Sequence, residues 1–106
     1  MTFVGLYEET LGGPSEESLL NHISDTPHPE KEKVLHYMKN YGRNGDVTSA
    51  VFVDAVNPDR KIYMLAYRED DLYRWNSHVM YYIKHYNLAI PEEFVRHVLR
   101  KLSEAE

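Results

Sequence analysis

The sequence predicts an α+β domain in which helices cover one face of an antiparallel β-hairpin. The segments VTSAVFVDAV and KIYMLAY are rich in β-branched and aromatic residues, and the NPDR between them favours a turn. This pattern predicts strands over residues 48–56 and 61–67. Amphipathic segments lie on both sides of the hairpin. Because two strands alone are only marginally stable in water, helices are expected to pack on one of their faces.

The N-terminal part of the chain predicts two short helices. Residues 2–11 favour a helix, with a strand as the alternative, and Gly12-Gly13-Pro14 ends the segment. The apolar residues at helical spacing there are Phe3, Leu6, Tyr7 and Leu11. Ser15 can cap a second short helix. Its apolar residues are Leu19, Leu20 and Ile23.

Two further amphipathic helices are predicted over residues 30–41 and 91–104. The first ends at Gly42, since glycine readily adopts the left-handed conformation that terminates helices. Its inward side is expected to hold Val34, Leu35, Met38 and Tyr41. The last helix starts at Pro91, which suits a first helical turn. Its apolar side comprises Phe94, Val95, Val98, Leu99 and Leu102.

The aromatic segment that follows the hairpin predicts a helix over residues 70–86. Asp70 and Asp71 supply an acidic first turn. At 100° per residue, one side of this helix is expected to enter the core: Leu72, Trp75, Val79, Tyr82, Ile83 and Tyr86. Nearly opposite lies a second set of side chains, expected to form an exposed stripe: Arg74, His78, Tyr81 and His85.

The charge of the chain is unevenly distributed. The formal net charge is −5, and residues 1–32 carry seven carboxylates against Lys31, which leaves +1 for the remainder. An acidic surface of this kind repels nucleic acid and anionic membranes and accelerates the approach of a basic partner. The alternative is a solvated acidic face that only maintains solubility.

Composition and spacing argue against several classes of function. The 106 residues contain no cysteine, internal repeat or low-complexity linker, so residues 1–106 are expected to form a single domain without a thiolate site. His78 and His85 are seven positions apart, about 10.5 Å along a helix, so they cannot share one metal ion. No cofactor or metal is expected. The chain starts without an export signal and has no membrane-spanning run, which favours a cytoplasmic location.

Two alternative functions remain open at this point. One is a small enzyme or ligand-binding domain that uses His78, Tyr81 and His85, which a cleft beside these residues would favour. The other is a helix-turn-helix regulator formed by the last two helices. The latter is disfavoured because Glu92 and Glu93 occupy the position where a recognition helix meets the bases.

Residues 67–99 resemble the C-terminal portions of small bacterial immunity proteins, which neutralise contact-delivered toxins. The resemblance lies in the order of acidic and aromatic residues in three segments: DDLYRW, YYI and PEEF. It implies a protein without catalytic activity that binds one cognate toxin, often a basic nuclease. Such proteins diverge widely, so the resemblance assigns no role to an individual residue.

The sequence therefore predicts a non-enzymatic protein-binding module, acting as an immunity or inhibitor protein on a basic toxin domain. Nine tyrosines and one tryptophan supply the side chains that dominate binding hot spots. Its oligomeric state stays open. The residues predicted to bind the partner are Glu16, Glu17, Asp70, Asp71, Arg74, His78, Tyr81 and His85.

Overall fold

A computed structural model describes residues 1–105 and shows an α+β fold, as the sequence predicts. The strands are β1 (Thr2–Phe3), β2 (Arg43–Thr48), β3 (Phe52–Val53), β4 (Lys61–Ile62), β5 (Leu65–Glu69) and β6 (Tyr73–Asn76). The helices are α1 (Lys31–Asn40), α2 (Ser77–Tyr86) and α3 (Glu92–Glu104). Four strands form a mixed sheet in the order β1-β6-β5-β2, and β3 pairs with β4 in a separate ribbon.

The predicted hairpin is present, but its pairing is divided and shifted. Antiparallel pairing runs from Arg43↔Glu69 to Thr48↔Leu65, stops, and resumes at Phe52↔Ile62. The strands thus start before residue 48, and the connection spans 54–60 rather than NPDR alone. Asp54 explains the longer connection: it turns inward and accepts the backbone N–H groups of Val56 and Asn57, so the chain leaves the extended conformation there.

The helices predicted within residues 2–23 are wrong. Thr2 and Phe3 form the alternative, a strand, which pairs in parallel with β6. Gly5 has a φ of +73° and starts a series of turns instead of a helix. The second predicted helix is reduced to a 3₁₀ turn, Leu19–Asn21, which Ser18 caps in place of Ser15.

The helix predicted over residues 70–86 is correct only in its second half. The carboxylate of Asp70 accepts the N–H groups of Leu72 and Tyr73, which makes a turn, and the chain then enters β6. Asn76 ends β6 and caps α2, its Oδ1 accepting the N–H of Val79 at 3.0 Å. Consequently Leu72 is exposed rather than part of the core.

The predictions for α1 and α3 are confirmed within one residue at each start and end. At the end of α1, Gly42 has a φ of +81°, and a Cβ there would approach the carbonyl oxygen of Glu69 to 2.5 Å, so only glycine fits. In α1 the buried residues are Val34, Tyr37 and Met38, whereas Leu35 and Tyr41 are half-buried.

The core lies between the sheet and the helices. Trp75 on β6 is at its centre, and its indole N–H donates to the carbonyl oxygen of Met38 at 2.9 Å. Tyr37 and Phe94 pack against the same indole. Helix α1 contacts both α2 and α3. Within residues 1–105, no helix combines the length and the apolar character needed to cross a membrane.

Candidate functional site

The predicted exposed stripe does not exist as a surface. Arg74 lies on β6, before the start of α2, and is therefore not on the same helix as the other three residues. Its guanidinium lies 4.5 Å from the ring centroid of Tyr67. His78 is only 2% exposed, and its Nε2 contacts the carbonyl oxygen of Met64 at 3.1 Å. Burial lowers the pKa of His78, so the imidazole is neutral and donates this hydrogen bond. Tyr81 and His85 alone remain adjacent, with ring centroids 4.5 Å apart.

The other predicted contact residues divide between surface and interior. Glu16, Glu17 and Asp71 are exposed, as a contact role requires. Asp70 is only 7% exposed and therefore cannot offer its carboxylate to a partner. A tandem pair of aspartates thus has one member facing inward and one outward, because the chain turns at this point into β6.

Asp70 is the centre of a buried hydrogen-bond network. Its Oδ2 accepts from the hydroxyl of Tyr37 at 2.5 Å and from Nε2 of His97 at 2.7 Å, while Oδ1 accepts the two turn amides. Burial alone would raise the pKa of Asp70, but these hydrogen bonds outweigh it and lower the pKa. Burial and the carboxylate together raise the pKa of Tyr37.

Asp70, Asp71 and His97 place potential metal-ligand atoms within 4.8 Å of one another, but their partners do not suit a metal. Arg100 contacts Nδ1 of His97 at 3.2 Å, and since guanidinium only donates, Nδ1 is the acceptor and Nε2 carries the proton. That Nε2–H is directed at Asp70, and the ammonium of Lys101 lies 3.2 Å from Asp71. The two carboxylates thus already accept hydrogen bonds from His97 and Lys101, in the place that a metal ion would take.

Asp54 forms a second buried network at the start of the β3–β4 connection. Its Oδ2 accepts the hydroxyls of Tyr81 and Tyr86 at 2.7 and 2.6 Å. Burial opposes ionisation, yet the two hydroxyls and two backbone amides lower the pKa of Asp54. Burial and hydrogen bonding to Asp54 raise the pKa of Tyr81, whose phenol therefore stays protonated at neutral pH.

A groove lies between α1 and α2, beside Tyr81 and His85, with a volume of about 730 Å³. Its lining includes three lysines, one carboxylate, two apolar side chains and His85, and we call it the cationic groove: Lys31, Lys39, Lys84, Glu32, Leu35, Met80 and His85. Burial, Arg60 and Lys84 lower the pKa of His85, so the imidazole is neutral near pH 7.

The N-terminal turns form a charged and partly apolar surface. We call it the acidic loop surface, and it consists of Leu6, Glu8, Glu16, Glu17 and Leu20. All five side chains are exposed, with Leu6 at 40% and Leu20 at 50%. The N–H of Glu8 donates to the carbonyl oxygen of Glu17 at 2.8 Å, which joins the two segments that carry these side chains.

Polar residues beneath the acidic loop surface hold its backbone in place. The carboxylate of Glu9 accepts from the Ser18 hydroxyl at 2.5 Å and from the Leu19 N–H at 2.9 Å. The hydroxyl of Thr10, a fully buried residue, donates to the carbonyl oxygen of Gly5 at 2.7 Å. The exposed groups therefore stand on a fixed scaffold.

The sequence analysis missed one residue of each network, His97 beside Asp70 and Asp54 at the centre of the second. His97 occupies the apolar side of the last helix, between Phe94 and Val98, a placement that signals a buried histidine in need of a partner. Asp54 directly follows the apolar residues Val51, Phe52 and Val53, where an acid signals an inward turn. No known protein family, curated protein or solved structure matches this chain.

Proposed function

We propose that this chain is a non-enzymatic protein-binding module whose acidic loop surface receives a basic partner. The observation that carries the proposal is the presence of two exposed leucines among exposed carboxylates on a backbone fixed from below. Leucine supplies apolar area that is buried on binding, and the carboxylates supply charge complementarity. Because Glu9 and Thr10 already order the backbone, little conformational entropy is lost on association.

The partner class that we propose is a basic bacterial toxin domain, which makes the chain an immunity protein acting in the cytoplasm. The unbalanced charge of residues 1–32 supports a basic partner. A carboxylate surface can cover the cationic site with which a nuclease holds its substrate, and so exclude the nucleic acid. Exposed side chains in and next to the β3–β4 ribbon, namely Val51, Val53 and Tyr63, offer further contact area, with Tyr63 at 70% exposure.

Binding accounts for the polar groups better than catalysis does. His97 donates a hydrogen bond to the carboxylate of Asp70 inside the core. The hydroxyl of Tyr81 donates a hydrogen bond to Asp54. A raised tyrosine pKa and a lowered aspartate pKa are the opposite of what acid–base catalysis near neutral pH requires. A helix-turn-helix role is less supported, since Glu92 and Glu93 are exposed at the start of α3.

A ligand-binding domain is the second candidate, and one observation favours it. The cationic groove is a concavity beside Tyr81 and His85, the two adjacent residues of the predicted stripe. Its volume lies within the range of small-molecule sites, roughly 300–1,000 Å³. His78 is buried, so one of the three residues that the small-enzyme alternative requires cannot reach a substrate.

The proposal is tested with a partner captured from the lysate of the source cell, whose binding kinetics are then measured. We expect Glu8→Lys/Glu16→Lys/Glu17→Lys to reduce the association rate constant at least about tenfold at low salt, because steering by charge is reversed. The matched control, Asp46→Lys/Asp59→Lys/Glu93→Lys, changes the net charge equally at exposed positions elsewhere. Equal association rates for the two triple variants would refute the acidic loop surface as the contact.

A further inference from the structure

The cationic groove is an unexpected feature in a protein with a net charge of −5. Lys31, Lys39 and Lys84 line it, and Glu32 is the one carboxylate residue among its lining residues. Lys39 and Lys84 are exposed, and within residues 1–105 neither makes an ion pair with a carboxylate. Their charges are therefore available to an anion that enters the groove.

Lys31 is positioned in advance for such an anion. Its ammonium donates to the carbonyl oxygen of Lys84 at 2.9 Å and to Oδ1 of Asn87 at 2.8 Å. An ammonium group has three N–H donors, so one donor is left. These two hydrogen bonds already fix the Lys31 side chain between the start of α1 and the end of α2. It therefore loses little conformational freedom when an anion enters the groove.

The uncharged groups of the groove suit an aliphatic side chain rather than a nucleobase. Leu35 and Met80 are half-buried and apolar. The ring of Tyr81 is already flanked by His85, at 4.5 Å between centroids, and by the guanidinium of Arg60, 5.8 Å from its centroid. A base stacks on an aromatic face, and on the Tyr81 ring it would compete with these two neighbours.

We propose that the cationic groove binds an acidic peptide segment of a partner protein. Carboxylates of the segment contact Lys31, Lys39 and Lys84, and one aliphatic side chain lies against Leu35 and Met80. The two helices have ten residues each, about 15 Å in length, which accommodates roughly four or five extended residues. This site shares no residue with the acidic loop surface, so an experiment can refute either proposal without affecting the other.

The test uses fluorescent five-residue peptides and the intact protein. Fluorescence anisotropy is expected to show saturable binding of Glu-Glu-Leu-Glu-Glu, and binding of Glu-Glu-Ser-Glu-Glu that is at least about fivefold weaker, because serine loses the apolar contact. We expect Lys39→Glu/Lys84→Glu to weaken binding of the leucine peptide at least about tenfold.

A matched control separates this site from general attraction by charge. Lys33→Glu/Lys61→Glu changes the net charge equally at exposed positions outside the cationic groove and should leave the affinity within about twofold. Circular dichroism verifies that both variants are folded. Three results would overturn the proposal: equal weakening by the two double variants, equal affinity for the serine peptide, or tighter binding of a single-stranded oligonucleotide than of the leucine peptide.

Discussion

At the scale of single residues, the two inward aspartates organise the polar interior. A buried carboxylate is costly unless it is hydrogen-bonded, and Asp70 and Asp54 each accept four hydrogen bonds. In both cases two of the donors are backbone amides of the following turn, so the carboxylate also fixes the local chain. The side-chain donors come from distant helices, which ties those helices to the turn.

Replacing Asp70 tests the first of these networks. An asparagine places an NH₂ group where a carboxylate oxygen accepted, so a donor of the network is left unpaired in the core. We expect Asp70→Asn to lower the free energy of unfolding by about 3 kcal/mol, measured by urea denaturation. Asp71→Asn serves as the control, since its exposed ion pair with Lys101 should contribute less than about 1 kcal/mol. Similar losses for the two variants would contradict a structural role specific to Asp70.

Tyrosine ionisation gives the fold a predicted alkaline limit. The folded state raises the pKa of Tyr37, Tyr81, Tyr82 and Tyr86 above the ordinary value of about 10. Groups with a raised pKa stabilise the fold below pH about 10, and this contribution is lost as the pH rises further. In a tyrosinate absorbance titration, we expect some of the nine tyrosines to ionise only when the protein unfolds. A single transition near pH 10, identical with and without urea, would contradict this.

The position of an acid along the sequence does not reveal whether it is buried. Asp70 and Asp71 are neighbours, and the sequence predicts that both form the acidic first turn of a helix and bind a partner. What draws Asp70 inward is Tyr37 from α1 and His97 from α3, residues that lie far away along the chain. Glu16 and Glu17 are exposed, as their predicted role requires, and no distant residue draws them inward.

At the scale of elements, the junction between β6 and α2 is the decisive point. Residues 73–76 continue the helical spacing of apolar groups, which is why the sequence favours one long helix. The extended form prevails because Tyr73–Asn76 pairs with β5 on one side and β1 on the other. Asn76 completes the change of direction, with Oδ1 capping α2 and Nδ2 donating to the carbonyl oxygen of Thr10 at 2.6 Å.

Two substitutions at Asn76 separate these contacts. Asn76→Ala removes both, and we expect a loss of about 2–4 kcal/mol in the free energy of unfolding. Asn76→Ser retains a capping oxygen but not the donor to Thr10, and should be about 1 kcal/mol more stable than the alanine variant. Urea denaturation measures both values. Equal stabilities of the serine and alanine variants would show that the cap does not stabilise α2.

Local signals explain which elements were predictable. Helices α1 and α3 are specified by their own apolar spacing and by Gly42 and Pro91 at their boundaries, so the sequence predicts them closely. Strands β1 and β6 depend on partners elsewhere in the chain. Their short segments carry no alternation long enough to distinguish strand from helix.

At the scale of the whole molecule, two surfaces of opposite charge coexist. The acidic loop surface could be anticipated because its carboxylates are close in the sequence. The cationic groove could not be anticipated, because Lys31 and Lys39 lie on α1 whereas Lys84 lies on α2. The negative net charge of the chain gives no indication of a local cluster of cations. Proximity in space rather than in sequence creates this second surface.

Zero-length carbodiimide cross-linking of the captured complex identifies the contact surface, because it joins lysines only to carboxylates in contact with them. Mass spectrometry of the products identifies the carboxylates. We expect partner lysines to be joined to Glu8, Glu16 and Glu17, and not to the equally exposed Asp46 and Asp59. Cross-links concentrated on Asp46 and Asp59, with none on those three glutamates, would contradict binding through the acidic loop surface.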